Sequence, residues 1–191
     1  MRKVIMASGN KGKIKEAKEI LKEYEVVSMK DLGIDIDVEE DGKTFASNAE
    51  KKAREIAKTL NGEIVISDDS GIEIEILDGF PGVRTKRWHR GDDRERNLAI
   101  VDKMKDFSRK NRKVKFTTAM AASDGEKTVS VVACIDGYVA EEPRGDNGFG
   151  FDEIFELDDG RTLAELSTDE KNEISARRKA MELLRDELNK F

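Results

Sequence analysis

Short apolar runs alternate with stretches of helical spacing along this chain. Val4–Ala7 follows two basic residues and predicts a buried strand. Ser8–Lys13 then reads as a turn, and from Ile14 the apolar positions Ile14, Ala17, Leu21 and Tyr24 take helical spacing. Val26–Met29 predicts a second strand, and an acidic segment, 35–43, separates it from a helix at about 44–60. Phe45, Ala49, Ala53, Ile56 and Leu60 share one face of that helix, and Asn61-Gly62 ends it. Ile64–Ile66 predicts another buried strand, with Asp68-Asp69-Ser70-Gly71 as the turn that follows. Ile72, Ile74 and Ile76 alternate with Glu73 and Glu75, a half-buried strand. Gly79-Phe80-Pro81-Gly82 reads as a rigid turn. Leu98, Val101, Met104 and Phe107 mark a third helix. Alternation at Val114–Met120 and again within Val129–Ile135, with Asp124-Gly125 between, predicts a hairpin and hence a mixed sheet. A Gly-rich loop, 145–152, precedes one last helix. That helix opens at Ser167 with Glu170 three residues on and continues through Ile174, Ala180, Leu184 and Leu188.

The order is α/β with an antiparallel component. No internal repeat or long linker interrupts it, so residues 1–191 are expected to form one domain or two joined lobes. No stretch approaches the ~20 apolar residues of a membrane span. Met1–Ala7 turns polar too soon for a signal peptide, and cytoplasmic residence is expected.

Composition narrows the chemistry. The chain holds one cysteine, Cys134, and one histidine, His89. A zinc site of the usual ligands and a histidine-based nucleophile system both lack material. Carboxylate and lysine chemistry with a hard cation remains. Charged residues are 40% of the chain and the net charge is −6, which speaks against general nucleic-acid binding.

Five segments could carry that chemistry. In Ser8-Gly9-Asn10-Lys11-Gly12-Lys13 a strand feeds a loop and a helix, an arrangement that aims N–H groups and the helix dipole at an anion such as phosphate. Lys13 adds a point charge and the Asn10 amide a donor. The spacing is not that of a Walker A loop. Asp68-Asp69-Ser70-Gly71 puts adjacent carboxylates at a buried strand end, where a divalent cation would compensate them. Glu39-Glu40-Asp41 either favours a helix N-terminus or supplies a metal ligand, with Lys52 in reach of a phosphate. Gly148-Phe149-Gly150-Phe151-Asp152 offers aromatics to a flat base and a carboxylate to its donors. Lys171, Arg177 and Arg178 line the last helix.

Taken in this order, the segments resemble the non-canonical purine nucleoside triphosphate pyrophosphatases, also called inosine triphosphate pyrophosphatases. The matching stretches are SGNKGKIKEA (8–17), EEDGKTFASNAEKKAR (39–54), SDDSG (67–71), GFPGVRTKRW (79–88), GDNGFGFDEIF (145–155) and AELSTDEKNEISARRKA (164–180). The resemblance implies a two-lobed α/β fold with a long mixed sheet and a central substrate cleft. It implies a magnesium-dependent homodimer that hydrolyses ITP, dITP and XTP to the monophosphate and pyrophosphate. Carried over by position, Ser8, Gly9, Asn10, Lys11, Gly12 and Lys13 hold the triphosphate, Asp69 is proton acceptor and metal ligand, and Glu40 is a second metal-site residue. Ser70, Lys52 and Lys171 contact substrate, while Phe149, Gly150, Phe151, Asp152 and Arg177 frame the base. Ala176 stands where the family places a histidine, so one base contact is missing. A pyrophosphatase for another modified nucleotide and a non-catalytic nucleotide-binding module are the alternatives.

Overall fold

A computed structural model describes residues 1–191. In chain order the elements are β1 (Arg2–Met6), α1 (Lys11–Ile20), β2 (Tyr24–Ser28), α2 (Phe45–Thr59), β3 (Val65–Ile74), β4 (Phe80–Pro81), α3 (Asp93–Met104), β5 (Lys113–Ser123), β6 (Thr128–Val139), β7 (Phe155–Glu156), α4 (Thr168–Ile174) and α5 (Ala176–Leu188). The sheet is mixed, in the order β2-β1-β3-β5-β6-β7, with β4 paired to β3. The α/β expectation holds. No helix is long and apolar enough to cross a membrane.

The chain divides into two compact units. Unit 1 comprises 1–70, 118–133 and 176–191, and unit 2 comprises 71–117 and 134–175. In unit 1, β1 pairs in parallel with both β2 and β3. Alternation along the strands sorts its core onto two faces. Val4, Met6, Ile64 and Ile66 pack with Ala17 and Ile20 of α1, with Leu21 just past its end, and with Leu184 and Leu188 of α5. Ile5, Ala7 and Val65 pack with Ile56 and Ala57 of α2. Unit 2 buries Ile72 and Ile74 with Ile100 and Met104 of α3, and with Val114, Phe151, Ile154 and Phe155.

The structure corrects five local readings. Helix α1 starts at Lys11 rather than Ile14, because Asn10 caps it by accepting from the N–H groups of Gly12 and Lys13. Asp68–Gly71 is not a turn. It lies inside one continuous strand, β3, that includes Ile72 and Ile74 and stops before Ile76, which is exposed. The supposed rigid turn at Phe80-Pro81 is a short strand returning antiparallel on β3 at Glu73 and Ile74. The face of α3 is set by Ile100 and Met104, while Leu98 is 47% exposed. The last helix is two: Ser175 leaves the helical region at ψ 127, and α4 and α5 fall in different units. The capping box of Ser167 and Glu170 at the head of α4 is present as expected. The Ser167 N–H and then Arg161 push the Glu170 carboxyl down to about 2. The favourable effect of this charged cap is therefore complete above the ordinary glutamate range and fades as pH falls through about 2.

Candidate functional site

The parallel register of β1 and β3 builds the site in unit 1. Met6 lies opposite Ile66, and the Ala7 N–H donates to the Ile66 carbonyl at 2.8 Å. The loop leaving β1 at Ser8 thus starts beside the beginning of β3, just ahead of Asp68 and Asp69. Lys11 and Lys13 occupy the first turn of α1, which holds no acidic residue. Cations at a helix N-terminus oppose the helix dipole, and an anion there relieves the opposition. With Asn10 Oδ1 turned to the helix amides, its Nδ2 is the end left to donate to a ligand. A Cβ placed on Gly9 would meet nothing within 4 Å, so the backbone there is open to close approach.

Alternation along β3 gives the adjacent carboxylates separate surroundings. Asp68 and Asp69 are both buried, 3% and 8% exposed. On the α1/α5 side, Asp68 forms a 2.6 Å ion pair with Lys13, and the Arg177 Nε stands 3.7 Å away. Arg177 also reaches Glu16 at 3.2 Å and donates to Ser70 Oγ at 3.4 Å. On the α2 side, Ser67 Oγ donates to the Ala49 carbonyl, and Asp69 Oδ2 accepts from Asn48 Nδ2 at 2.9 Å. Asn48, 1% exposed, also accepts from the Gly42 N–H at 2.7 Å. One side chain of α2 therefore ties the acidic 39–42 segment to Asp69. Within the same unit Glu40 pairs with Lys52 at 3.0 Å.

In unit 2 the Gly-rich loop is folded around Asp152. The Asp152 carboxylate is buried and accepts from the Phe149 N–H at 2.7 Å and from Lys171 Nζ at 2.7 Å. Lys171 lies 5.0 Å from the centre of the Phe149 ring. Phe151 is a core residue, packed with Ile154 and Phe155. Gly148 has φ 85, and a Cβ there would fall 2.1 Å from Asp152 Oδ2, an oxygen already held by Lys171 and Phe149. Gly148→Ala is expected to destabilise the protein by about 1–3 kcal/mol and to open the loop to limited proteolysis. A parent-like melting curve and digestion pattern would refute that expectation.

The sequence-derived residues thus fall into two groups. Ser8–Lys13, Glu40, Lys52, Asp69, Ser70, Ala176 and Arg177 belong to unit 1, and Phe149–Asp152 with Lys171 to unit 2. Lys171 and Arg177, read as lining one helix, are on separate helices. Ala176 is buried at the first position of α5 and offers no hydrogen-bonding side chain. Asn48 was missed by sequence reasoning. Its signal was an asparagine among the apolar positions of α2, between Phe45 and Ala49.

The donor set suits a hard cation. Asp69 and Glu40 supply oxygens, and the chain has no cluster of three His, Cys, Asp or Glu side chains shaped for a metal. Carboxylate oxygens are donors that magnesium takes, one or two from a protein, with water and phosphate oxygens completing its shell.

The chain is similar to known proteins over nearly its whole length. Residues 4–187 match the sequence pattern of the Ham1 family. The chain is 43% identical over 190 residues to a dITP/XTP pyrophosphatase of Bacillus subtilis, covering 96% of each. It is 42% identical over 200 residues to a dITP/XTP pyrophosphatase of Clostridium perfringens, covering 98% of each. The solved structure of the Staphylococcus aureus Ham1 protein superposes with a TM-score of 0.88 at 35% identity, covering 99% of both chains.

Proposed function

The chain belongs to the Ham1 family, and from that premise we propose that it hydrolyses non-canonical purine nucleoside triphosphates (dITP, ITP and XTP) to the monophosphate and pyrophosphate. The observation that carries the reading is the buried Asp69 carboxylate, fixed by Asn48, on the strand paired with β1 and its lysine-bearing loop. The names of the relatives, dITP/XTP pyrophosphatases, supply the substrate class.

In this mechanism Ser8–Lys13 and Lys52 take the triphosphate. Lys11, Lys13 and Lys52 balance its charge, and Asn10 Nδ2 donates to a phosphate oxygen. Asp69 and Glu40 would hold magnesium, whose contribution when bound is to neutralise charge on phosphate oxygens. Asp69 orients a water and accepts its proton as the water oxygen attacks the α-phosphorus. The bond from that phosphorus to the bridging oxygen breaks, and its electron pair leaves with pyrophosphate. Phe149 stacks on the purine while Asp152 and Lys171 shape its pocket. Ser70 and Arg177 complete the substrate contacts. A purine carrying oxygen at position 6 accepts a hydrogen bond where adenine donates one, and an unmatched buried polar group costs ~1–3 kcal/mol. With Ala176 in place of a histidine, this chain has one donor fewer for that discrimination. A homodimer in the cytoplasm belongs to the same proposal.

Incubation with magnesium and dITP, XTP, ATP or GTP tests the reading. The expected products are a monophosphate and pyrophosphate, with dITP and XTP preferred. Release of orthophosphate and a diphosphate would place the attack on the γ-phosphorus and overturn it. Binding without turnover would make the chain a nucleotide-binding module instead.

A further inference from the structure

Phe149 sits in a loop whose two flanking glycines, Gly148 and Gly150, have φ values of 85 and 66. Such a loop has little intrinsic preference for one shape. On one side the shape is fixed by Asp152, as described above. On the other side it is fixed by α3. Asn97 Nδ2 donates to the Gly150 carbonyl at 2.8 Å, and the Gly150 N–H donates to Asp93 Oδ2 at 3.2 Å. Both peptide groups of one glycine are therefore held by side chains one helical turn apart.

The helix that carries the anchor is packed into the core. Ile100 and Met104 of α3 are fully buried in the core of unit 2. A capping box of Asp92 and Glu95 closes the helix start. Asn97 itself is 1% exposed and continues the apolar face toward Ile100 and Met104. Packing does not do the same job. A cavity of about 350 Å³, bordered by Asp92, Asp93, Asn97, Asn147 and Phe149, lies between the helix start and the loop. On this side of the loop, where side chains do not fill the space, the two hydrogen bonds are what tie it to α3.

We infer that Asn97 and Asp93 are positioning residues that latch Gly150 and so hold the Phe149 ring where a purine base stacks. This rests on the functional reading above. The latch residues belong to unit 2, whereas the residues proposed to take the phosphates and the proton belong to unit 1, so the expected effect is on affinity for the base and not on bond cleavage.

The test compares the parent with Asn97→Leu, Asp93→Ala and Asp93→Asn. Leucine matches asparagine in size but cannot donate, whereas Asp93→Asn keeps an acceptor. KM and kcat for dITP are measured, together with the inhibition constant of inorganic tripolyphosphate, which carries no base. Loss of one hydrogen bond should raise KM for dITP in Asn97→Leu and in Asp93→Ala by about two- to twelvefold. The kcat should stay within about twofold, because an interaction equal in ground and transition states moves KM alone. Tripolyphosphate inhibition should be unchanged, and Asp93→Asn should resemble the parent. Parent-like KM in Asn97→Leu and Asp93→Ala overturns the inference. So does a parallel rise in KM and in the tripolyphosphate constant, which would mean general damage to the fold. If Asn97→Leu does not fold, the contrast between Asp93→Ala and Asp93→Asn decides. If the parent releases no pyrophosphate from dITP, the functional reading has failed separately. Amide exchange at Gly150 then reads the latch directly: faster in Asp93→Ala than in the parent if it exists, equal if it does not.

Discussion

Asp69→Asn is expected to lower kcat/KM for dITP by about a hundredfold or more while leaving the unfolding midpoint close to that of the parent. The two halves of this expectation come from different parts of the structure. Asparagine keeps the shape of aspartate and can still accept the 2.9 Å hydrogen bond that Asn48 donates to Asp69 Oδ2. The packing of β3 against α2 is then preserved, since Ser67 still donates to the Ala49 carbonyl. Two capacities vanish: taking a proton from water and offering an anionic oxygen to magnesium. Steady-state kinetics over a range of magnesium concentrations, beside a urea melt, gives both numbers. Near-parent turnover with an unchanged magnesium requirement would leave Asp69 as a structural carboxylate and remove it from the reaction.

The elements with strong periodicity were legible in the sequence. Helix α2 is a clear instance: Phe45, Ala49, Ala53 and Ile56 have the spacing of one face and all are buried. Its N-cap is Thr44, at the approximate start read from the sequence. The hairpin at Asp124-Gly125 is present, with Asp124 accepting from the Glu126 and Lys127 N–H groups. What could not be read were features decided by partners distant in sequence. Asp-Asp-Ser-Gly has the composition of a turn, because its side chains readily bond nearby backbone. It is held extended inside β3, which lies between β1 and β5 in the sheet, and Lys13 and Asn48 meet its carboxylates. The break at Ser175 lacks the glycine or proline that marks a helix end. For the same reason the sequence placed Lys171 and Arg177 on one helix.

The candidate site was legible as a set of segments, while its division of labour came from the resemblance and not from the residues themselves. Asp68 and Asp69 look equivalent in the sequence. They differ only once β3 is a strand, since neighbours in a strand point to opposite faces. Asn48 and Asn97 stayed hidden because both are uncharged and lie in helices. Each nevertheless interrupts an apolar face, Asn48 beside Ala49 and Asn97 three residues before Ile100. A polar amide in register with a buried stripe must find partners inside the protein. Those partners are Asp69 and Gly42 in one case and Gly150 in the other.

The same strand geometry predicts that Asp68→Asn does the reverse of Asp69→Asn, damaging stability first. The Asp68 side chain is 1% exposed and that of Lys13 10%, so solvent screens their 2.6 Å ion pair little. Removing the charge of Asp68 leaves the Lys13 ammonium, and the Arg177 guanidinium 3.7 Å from the same oxygen, as buried cations that have lost this counter-charge. Breaking a buried pair from one side costs about 3–5 kcal/mol, most of it desolvation that is no longer offset. Glu16, which pairs with Arg177 at 3.2 Å, relieves part of that cost, so the lower end of the range is expected. Lys13→Met in the Asp68→Asn background should recover a share of the loss, because a thioether side chain of similar length carries no charge to bury. The pairwise coupling from the four urea melts should be about 1 kcal/mol or more, as for side chains in direct contact. Lys13 is assigned to the triphosphate, so this cycle is read in unfolding free energy rather than in rates. A loss in Asp68→Asn of no more than about 0.5 kcal/mol, the size of an ordinary surface change, would show that the Asp68–Lys13 pair is not what holds the helix start against the strand.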